Sequence, residues 1–471
     1  MSECASGTRP KQSSTGAVET CGYLSSFRVR QPRSCCWLPL EAVTSSTNTT
    51  RGATLKTMPA EPPTDLTKED LEEMLQCGVE SFTTSPLTTA GENFGSLLLR
   101  VDATLLPDHR QVSLAAKLVV TKNLMGRVPP FRDFMRKEMD MYTRLRPAIL
   151  AVQEEHGIPR ELLLDVIPRC HGARTRRGGG LEPPVDETAA ILMENLGASG
   201  YRLADRIEGM DLEHAECVVK HLARFQAMFV VFKLKKPHFF KSAVLPTASQ
   251  IVHEGPPQSP SHQPDPETSK LNCVLCVPAV VEHADRIKIA LKKGRSLFMQ
   301  KSRPEPAEPF ATVVHNDFWT NNVMFSYGEG DEGKISSLKL LDFQMTNYGS
   351  PVTDLIFFLY SSTSLDVTRE DRDRLIKLYH QEFTGWLELF GCDTKPFGYE
   401  TFMKEVEAVA PFQFDRTFSM LRIFCMSKSN PPDINNPAAF HRMKTDNTGL
   451  GEQYFKKIER IVVEFVDRGW I

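Results

Sequence analysis

Hydrophobic and polar residues alternate with a strand-like period in the first third of the chain. Two such runs, 95–105 and 112–120, flank the turn sequence LPDHRQ and predict a β-hairpin. Apolar residues at helical spacing over 131–150 predict a helix after the hairpin. Strand-like runs return at 166–173 and 189–196, on either side of a polar loop. This order of elements is typical of a small α+β lobe.

The rest of the chain has a mainly helical pattern. Long amphipathic runs over 211–234 and 368–391 predict two helices, and the second opens with a capping-box sequence. Two short apolar stretches, 313–325 and 335–344, interrupt the helices and predict β elements. We therefore expect a larger, helical C-terminal lobe.

Composition sets the boundaries of these lobes. Residues 1–60 are rich in Ser, Thr, Gly and Pro and have no periodicity, which predicts a disordered extension. Thr67 then caps a predicted helix. The Pro- and Ser-rich tract 252–269 predicts a surface insertion. The chain is thus divided into the extension, an N-lobe over 61–196 and a helical C-lobe over 197–471.

Charge and cysteine content exclude several classes of protein. The 471 residues carry a formal net charge of −3, so no basic field favours nucleic acid or an anionic membrane as a partner. No apolar window is long enough to span a membrane and no secretory signal is visible, so we expect a cytoplasmic protein. Cys273 and Cys276 form a lone C-x-x-C, for which incidental thiols are favoured over metal or redox use.

The candidate chemistry begins in the stretch VVHNDFWTNNVMF. Asp317 lies five residues before Asn322, and Asp342 follows an apolar strand further along the chain. Transfer of a phosphoryl group needs a carboxylate at the attacking hydroxyl and oxygen ligands for Mg²⁺. The same residues also suit a side-chain-stabilised turn and the surface end of a strand. The paired motif favours the functional interpretation.

Residues nearer the N-terminus supply the groups that ATP phosphates need. Lys117 interrupts an apolar strand and Glu138 follows 21 residues later on the predicted helix, in the order of the strand Lys and helix Glu of kinases. A solvent-facing Lys and a solvated helix face are the alternatives. Gly91 and Gly95 permit a turn that covers the phosphates, although such spacing is common in turns.

Together, the segments HNDFWTNNVMF, LLDFQ and GSPVTDLIFF resemble the ecdysteroid-kinase-like, or CHK-kinase-like, family, relatives of choline kinases and aminoglycoside phosphotransferases. The resemblance covers about residues 70–465, with its CHK-kinase-like region at about 190–390. It implies a two-lobed protein-kinase-like fold. By the same resemblance Asp317 is the catalytic base, and Asn322 and Asp342 are Mg²⁺ ligands.

The resemblance also implies supporting roles. Asp354 matches a carboxylate that braces the catalytic loop, although a helix N-cap explains it equally well. His315 and Trp319 are expected to pack around the loop and not to react. The segment ILMENL resembles the link between the lobes, where the backbone around Glu194 would contact adenine.

Three positions depart from the family pattern. Asn316 stands where the family usually has Gly, Asn195 where Asp is frequent, and Gln226 where His is common. None removes a reacting group, so the departures put only the fine positioning of the site in doubt.

The leading hypothesis is an ATP- and Mg²⁺-dependent kinase that phosphorylates a hydroxyl of a lipophilic alcohol, such as an ecdysteroid or a xenobiotic. A catalytically inactive pseudokinase and a choline- or ethanolamine-type kinase are the alternatives. C-lobe aromatic residues suit either an acceptor pocket or, preferably, plain core: Tyr379, Trp386, Phe412 and Phe414. The identity of the acceptor and the oligomeric state stay open.

Overall fold

A five-stranded antiparallel sheet forms the N-terminal lobe. The computed structural model describes residues 66–87, 97–119, 131–251, 270–299, 307–328, 333–427, 447 and 449–471. The strands are β1 (Val79–Pro86), β2 (Leu97–Leu105), β3 (Arg110–Leu118), β4 (Cys170–Arg174) and β5 (Ala190–Glu194). Their order in the sheet is β1-β2-β3-β5-β4. The predicted hairpin is confirmed as β2 and β3, with Leu105 opposite Arg110.

Period-2 burial explains how this sheet packs. Along β2 the alternate residues Leu99, Val101, Ala103 and Leu105 are buried, and they join a cluster with Leu71 of helix α1 (Lys68–Leu75). Thr67 caps α1 as predicted, in a capping box with Asp70. The central strand β3 is paired on both sides, so its C-terminal half is buried.

The helix predicted over 131–150 is longer and interrupted. Helix α2 (Phe131–Asp140) passes through a π-helical turn, Met141–Leu145, into helix α3 (Arg146–Glu155). The π turn is a single-turn interruption between two α-helical segments, and its residues Met141, Tyr142 and Leu145 are buried. Glu138 lies on α2, facing β3.

The strand predicted over 166–173 was wrong in its first half, since β4 begins only at Cys170. The preceding residues bond instead to other elements: the N–H of Leu164 donates to the buried Gln153 side chain on α3. The carbonyl of Val166 accepts the N–H of Leu340 from the C-terminal lobe. These apolar residues therefore tie the two lobes together and do not extend the sheet.

The C-terminal lobe is helical, and its long helices confirm the predicted pattern. The helices of this lobe are α4 (Leu212–Lys235), α5 (Pro237–Phe239), α6 (Leu245–Thr247), α7 (Pro278–Glu282), α8 (Ala284–Met299), α9 (Val352–Ser361), α10 (Arg369–Leu389), α11 (Tyr399–Phe424) and α12 (Glu452–Asp467). Helix α4 is buried all round from Phe225 to Phe232, which places it at the centre of the lobe. Thr368 and Asp371 form the predicted capping box of α10.

Short strands position the two loops that carry the candidate chemistry. They are β6 (Arg202–Leu203), β7 (Thr312–Val314), β8 (Val323–Tyr327), β9 (Ile335–Leu340) and β10 (Asn347–Gly349). β7 pairs with β10, and β8 pairs with β9. The β7–β8 loop and the β9–β10 loop therefore start and end on paired strands, which brings Asp317 and Asp342 close together.

Several predictions fall where the structure gives no description. The disordered extension over 1–60, the insertion over 252–269, and Gly91 and Gly95 all lie outside the described residues. Within the described part of the chain, the helices are too short or too polar to cross a bilayer.

Candidate functional site

Three charged side chains meet between the lobes. Lys117 on β3 is 5% exposed. Its Nζ donates to Oε2 of Glu138 at 2.5 Å and to Oδ1 of Asp342 at 2.7 Å. Burial alone would lower the pKa of Lys117, but Asp342 and Glu138 raise it well above its ordinary value, so the ammonium stays charged. Described residues use two of its three donors, which leaves one for an anion.

Glu138 is held in place by the helix that carries it. Burial raises the pKa of Glu138, and the Lys117 cation opposes that rise. One turn further on, the fully buried Tyr142 packs edge-to-face on Phe343, with ring centroids 5.8 Å apart. Tyr142 lies in the π-helical turn that follows α2, and Phe343 directly follows Asp342, so this contact fixes the end of α2 against the loop that carries the second carboxylate.

Asp342 occupies a tight turn just after β9. Its φ of 63° is left-handed, a conformation that Asp tolerates better than most residues. A 3₁₀ turn, Phe343–Met345, follows, and Gln344 Nε2 donates to Asp342 Oδ2 at 3.2 Å. The turn aims the carboxylate at Lys117 while the Phe343 ring points into the core.

The β7–β8 loop brings Asp317 and Asn322 together. Asn322 Nδ2 donates to the Asp317 carbonyl at 2.7 Å and to its carboxylate Oδ2 at 3.2 Å. A 3₁₀ turn, Thr320–Asn322, accounts for the five-residue spacing, because it folds Asn322 back over the start of the loop. The amide oxygen of Asn322 is thereby turned away from Asp317, and no described residue donates a hydrogen bond to it.

The environment of Asp317 suits a proton acceptor. Burial raises the pKa of Asp317 to about 6; the Arg416 cation opposes the rise and the Asp342 carboxylate adds to it. The side chain is still 24% exposed, so the carboxylate is accessible from one direction. A carboxylate with a pKa near neutrality is matched to accepting a proton from a hydroxyl.

Asp354 braces the β7–β8 loop. Its carboxylate is fully buried and accepts the backbone N–H groups of His315 at 2.7 Å and Asn316 at 2.8 Å. Asp354 lies inside helix α9, whose N-cap is Pro351, so the N-cap alternative is wrong. Gln226 of α4 donates a third hydrogen bond to Asp354 at 2.9 Å.

His315 and Trp319 pack in the core, as predicted. His315 Nε2 lies 2.7 Å from the carbonyl oxygen of Leu341, which makes Nε2 the protonated nitrogen. Burial lowers the pKa of His315, so the ring is neutral. Trp319 stacks on Phe424 with ring centroids 3.8 Å apart. Both contacts support the loop, and the Trp319 side chain also helps to lower the pKa of Asp317 against the effect of burial.

Sequence reasoning missed Arg416, on helix α11. Its guanidinium donates to the side chain and to the carbonyl of Asn316, and Nη2 lies 3.5 Å from Asp317 Oδ1. Asn316 itself has a φ of 57°, so the backbone does adopt the left-handed conformation that Gly would favour. No sequence signal marks Arg416, because a hundred residues separate it from the loop.

The predicted adenine segment is partly engaged by its neighbours. The Glu194 carboxylate accepts the N–H of Arg169 at 2.9 Å, and the Glu194 N–H donates to the Arg169 carbonyl at 2.9 Å. Asn195, where Asp is frequent, donates to Ser113 at 3.0 Å and accepts the N–H of Ala198, so it supports the turn after β5. A role of Glu194 in nucleotide binding stays a prediction.

The described residues contain no group of three or more His, Cys, Asp or Glu side chains placed to hold a metal ion. Cys273 and Cys276 therefore belong to no such group in that part of the chain. Asp342 and Asn322 differ from such a cluster, since Mg²⁺ on a nucleotide takes only one or two protein carboxylates and completes its shell with phosphate and water oxygens. An unengaged amide oxygen on Asn322 and a partly exposed carboxylate on Asp342 fit that requirement.

The aromatic residues of the C-lobe are mostly core. Tyr379 donates to Gln226 at 2.5 Å, and Trp386 donates to the sulfur of Met228 at 3.1 Å. Phe414 is fully buried, whereas Phe412 is half-buried and lies beneath the Lys293 ammonium. Three of the four residues are therefore excluded as an acceptor surface.

The N-terminal lobe holds a buried Lys–Glu pair, and the Lys of that pair contacts a carboxylate loop of the helical C-terminal lobe. This arrangement of two lobes is a protein-kinase-like fold. Within that class, residues 90–392 match the model of the ecdysteroid kinase-like family. The match spans more than half of the chain, so the protein belongs to the ecdysteroid kinase-like family. This membership indicates a small-molecule kinase.

Solved structures with similarity to the chain share little sequence with it. Plasmodium vivax ethanolamine kinase is 12% identical with a TM-score of 0.39, over 83% of this chain and 84% of that chain. Spectinomycin phosphotransferase APH(9)-Ia is 9% identical with a TM-score of 0.39, over 86% and 98%. Choline kinase from Cryptosporidium parvum is 10% identical with a TM-score of 0.38, over 83% and 91%. No curated protein matches the chain.

Proposed function

We propose that this protein is an ATP- and Mg²⁺-dependent kinase that transfers the γ-phosphate to a hydroxyl of a lipophilic alcohol, such as an ecdysteroid or a xenobiotic. The observation that carries the proposal is the meeting of Lys117, Glu138 and Asp342 beside the loop of Asp317 and Asn322. Family membership supports the class of reaction, and the lipophilic acceptor rests on the family resemblance.

Each side chain has a task that its geometry supports. Lys117 offers its remaining N–H to a phosphate oxygen, and Glu138 fixes the ammonium. Asp342 and Asn322 supply oxygen ligands for Mg²⁺, which when bound neutralises charge on the phosphates. Asp317 orients the acceptor hydroxyl and accepts its proton. The neutral His315 and the Asp354 brace hold the loop still during the transfer.

Two measurements test this function. ATP with Mg²⁺ should raise the unfolding temperature of the protein, and ATP with EDTA should raise it less. A panel of lipophilic alcohols incubated with ATP and Mg²⁺ should then yield a product with the added mass of one phosphate. If neither a thermal shift nor a phosphorylated product is found, the kinase assignment is wrong.

The variant Asp317→Asn separates catalysis from nucleotide binding. It should keep the thermal shift with ATP, because Asp317 does not contact Lys117, and lose about 10²–10⁴-fold in turnover. Lys404→Gln, an exposed change on helix α11, serves as the control. Near-normal turnover by Asp317→Asn would contradict the assignment of the base. A thermal shift in the parent protein without any product would favour an inactive binding protein.

A further inference from the structure

Arg416 is a cation built into the acceptor side of the site. It reaches the loop from helix α11 and stacks on the ring of Phe357, with the guanidinium carbon 4.1 Å from the ring centroid. Its Nη1 donates to Asn316 Oδ1 at 3.1 Å, and Nη2 donates to the Asn316 carbonyl oxygen. The same Nη2 lies 3.5 Å from Asp317 Oδ1.

These contacts restrain Asn316, the residue directly before Asp317. The N–H of Asn316 is held by Asp354, whereas its carbonyl and its side-chain oxygen are both held by Arg416. Asn316 therefore has its left-handed φ fixed by two charged partners from two different helices. The direction in which Asp317 leaves the backbone depends on both partners, so Arg416 acts on the base partly through Asn316.

The positive charge of Arg416 is not confined to the core. Its side chain is 27% exposed, next to the 24% exposed side chain of Asp317. Among the described residues, Asp317 is the only carboxylate within salt-bridge distance of Arg416. A hydroxyl within hydrogen-bonding reach of Asp317 would lie roughly 6 Å from the guanidinium. A cationic group on the acceptor, close to that hydroxyl, would thus approach a fixed positive charge.

We propose that Arg416 is a positioning and specificity-determining residue that orients Asp317 through Asn316 and disfavours alcohols with a cationic group near the reacting hydroxyl. This inference rests on the proposed kinase function and adds a selection by charge among its acceptors. Neutral alcohols are preferred, and alcohols with a permanent positive charge are disfavoured.

The size of the selection follows from Coulomb's law. For a cationic group that also lies about 6 Å from the guanidinium, at an effective dielectric constant of about 40 for a partly exposed site, the repulsion changes an equilibrium about ten-fold. Removal of the guanidinium charge should therefore shift the relative kcat/KM of neutral and cationic acceptors about ten-fold towards the cation. The shift should appear mainly in KM, since the charge acts on acceptor binding as well as on the transition state.

Choline and 3,3-dimethyl-1-butanol are the matched probes, because they have nearly the same shape. They differ at one central atom, which is a positively charged nitrogen in choline and a neutral carbon in the other alcohol. Phosphorylation of each at millimolar concentration is measured by mass spectrometry for the parent protein and for three variants. Arg416→Gln removes the charge, Arg416→Lys retains the charge but loses the forked contact with Asn316, and Lys404→Gln removes an exposed charge from the same helix. Where turnover is too slow to measure, the two probes are compared as competitors of the best alcohol in the panel.

The parent protein should prefer the neutral probe, and Arg416→Gln should lose that preference about ten-fold. Arg416→Lys should keep the preference with a lower kcat, and Lys404→Gln should match the parent in both values. Circular dichroism and unfolding temperatures show that the variants are folded.

An unchanged preference in a folded, active Arg416→Gln protein would overturn the inference and leave the kinase function standing. Equal loss of preference in Arg416→Lys would overturn the charge argument. Absence of any phosphorylated alcohol would instead contradict the kinase function.

Discussion

The Lys117 triad makes a specific prediction about stability. In the variant Lys117→Met, the side chain keeps its apolar length on β3 but the ammonium is lost. Glu138 is 1% exposed, and Lys117 is its only cationic partner among the described residues. Asp342 is better placed to tolerate the change, because a quarter of its side chain is in contact with solvent. The variant therefore leaves one buried carboxylate uncompensated, which typically costs about 3–5 kcal/mol.

Protonation of Glu138 limits that cost and makes it depend on pH. An ordinary Glu has a pKa of about 4.3, so neutralising it costs about 3.7 kcal/mol at pH 7 and about 1.6 kcal/mol at pH 5.5. Without Lys117, burial raises the pKa of Glu138 in the folded state above its value in the unfolded chain. The folded variant then binds an extra proton, and the stability that it has lost is recovered as the pH falls.

Urea unfolding of the parent and of Lys117→Met at pH 7 and pH 5.5 measures both differences. We expect a deficit of roughly 3–4 kcal/mol at the higher pH. The deficit should shrink on acidification by less than the difference between the two neutralisation costs, because the pKa of Glu138 is already raised in the parent, which also takes up a proton as the pH falls. Lys404→Met, on the surface, should change stability by no more than about 0.5 kcal/mol. The double variant Lys117→Met/Glu138→Leu should regain most of the loss, because an apolar pair can replace a buried ion pair. A deficit that grew on acidification, or no deficit at pH 7, would refute the reasoning.

Two further predictions concern buried charges outside the site. Asp70→Asn should cost about 2–4 kcal/mol, because Asp70 is buried and accepts hydrogen bonds from Arg174 and Arg177. Burial raises the pKa of Asp70, but the two Arg side chains outweigh burial and hold this pKa well below its ordinary value. The deficit measured by urea unfolding should therefore shrink as the pH falls below about 4. Lys457→Met should stabilise the protein by about 1–3 kcal/mol, because the buried Lys457 Nζ has no hydrogen-bond partner among the described residues. Burial lowers the pKa of Lys457 to about 8, so this gain should shrink above pH 8, and a destabilised variant would contradict the argument.

Much of the fold was predictable because its elements carry their own signals. The hairpin of β2 and β3 and the helices α4 and α10 have a clear period, and their caps and turns agree with it. Strand β1 was missed, because its sequence VESFTTSP has few apolar residues and most of the strand is exposed. The strand at 166–173 was overestimated, since its apolar residues pack between the lobes and do not join a sheet.

The site was predictable only where residue type and spacing reflect the chemistry. Lys117, Glu138, Asp317, Asn322 and Asp342 are brought together by strand pairing and by two tight turns, and each was visible in a short motif. The partners that position the loop, such as Arg416, are not marked by any motif in the sequence. Contacts across more than a hundred residues depend on how helices pack, and a single sequence contains no direct record of that packing.

The departures from the family pattern are matched by these distant partners. At position 316 the backbone keeps the left-handed conformation that Gly favours, and the added amide side chain is bound by Arg416. Gln226, in place of the common His, donates to Asp354 while its own amide oxygen accepts from Tyr379. An unpaired buried polar atom costs about 1–3 kcal/mol of stability, so the fold needs these pairings whether or not the site is active. Each of these two substituted side chains is therefore hydrogen-bonded by residues that are distant in the sequence, and the charge selection proposed for Arg416 makes helix α11 the element on which acceptor preference should be tested.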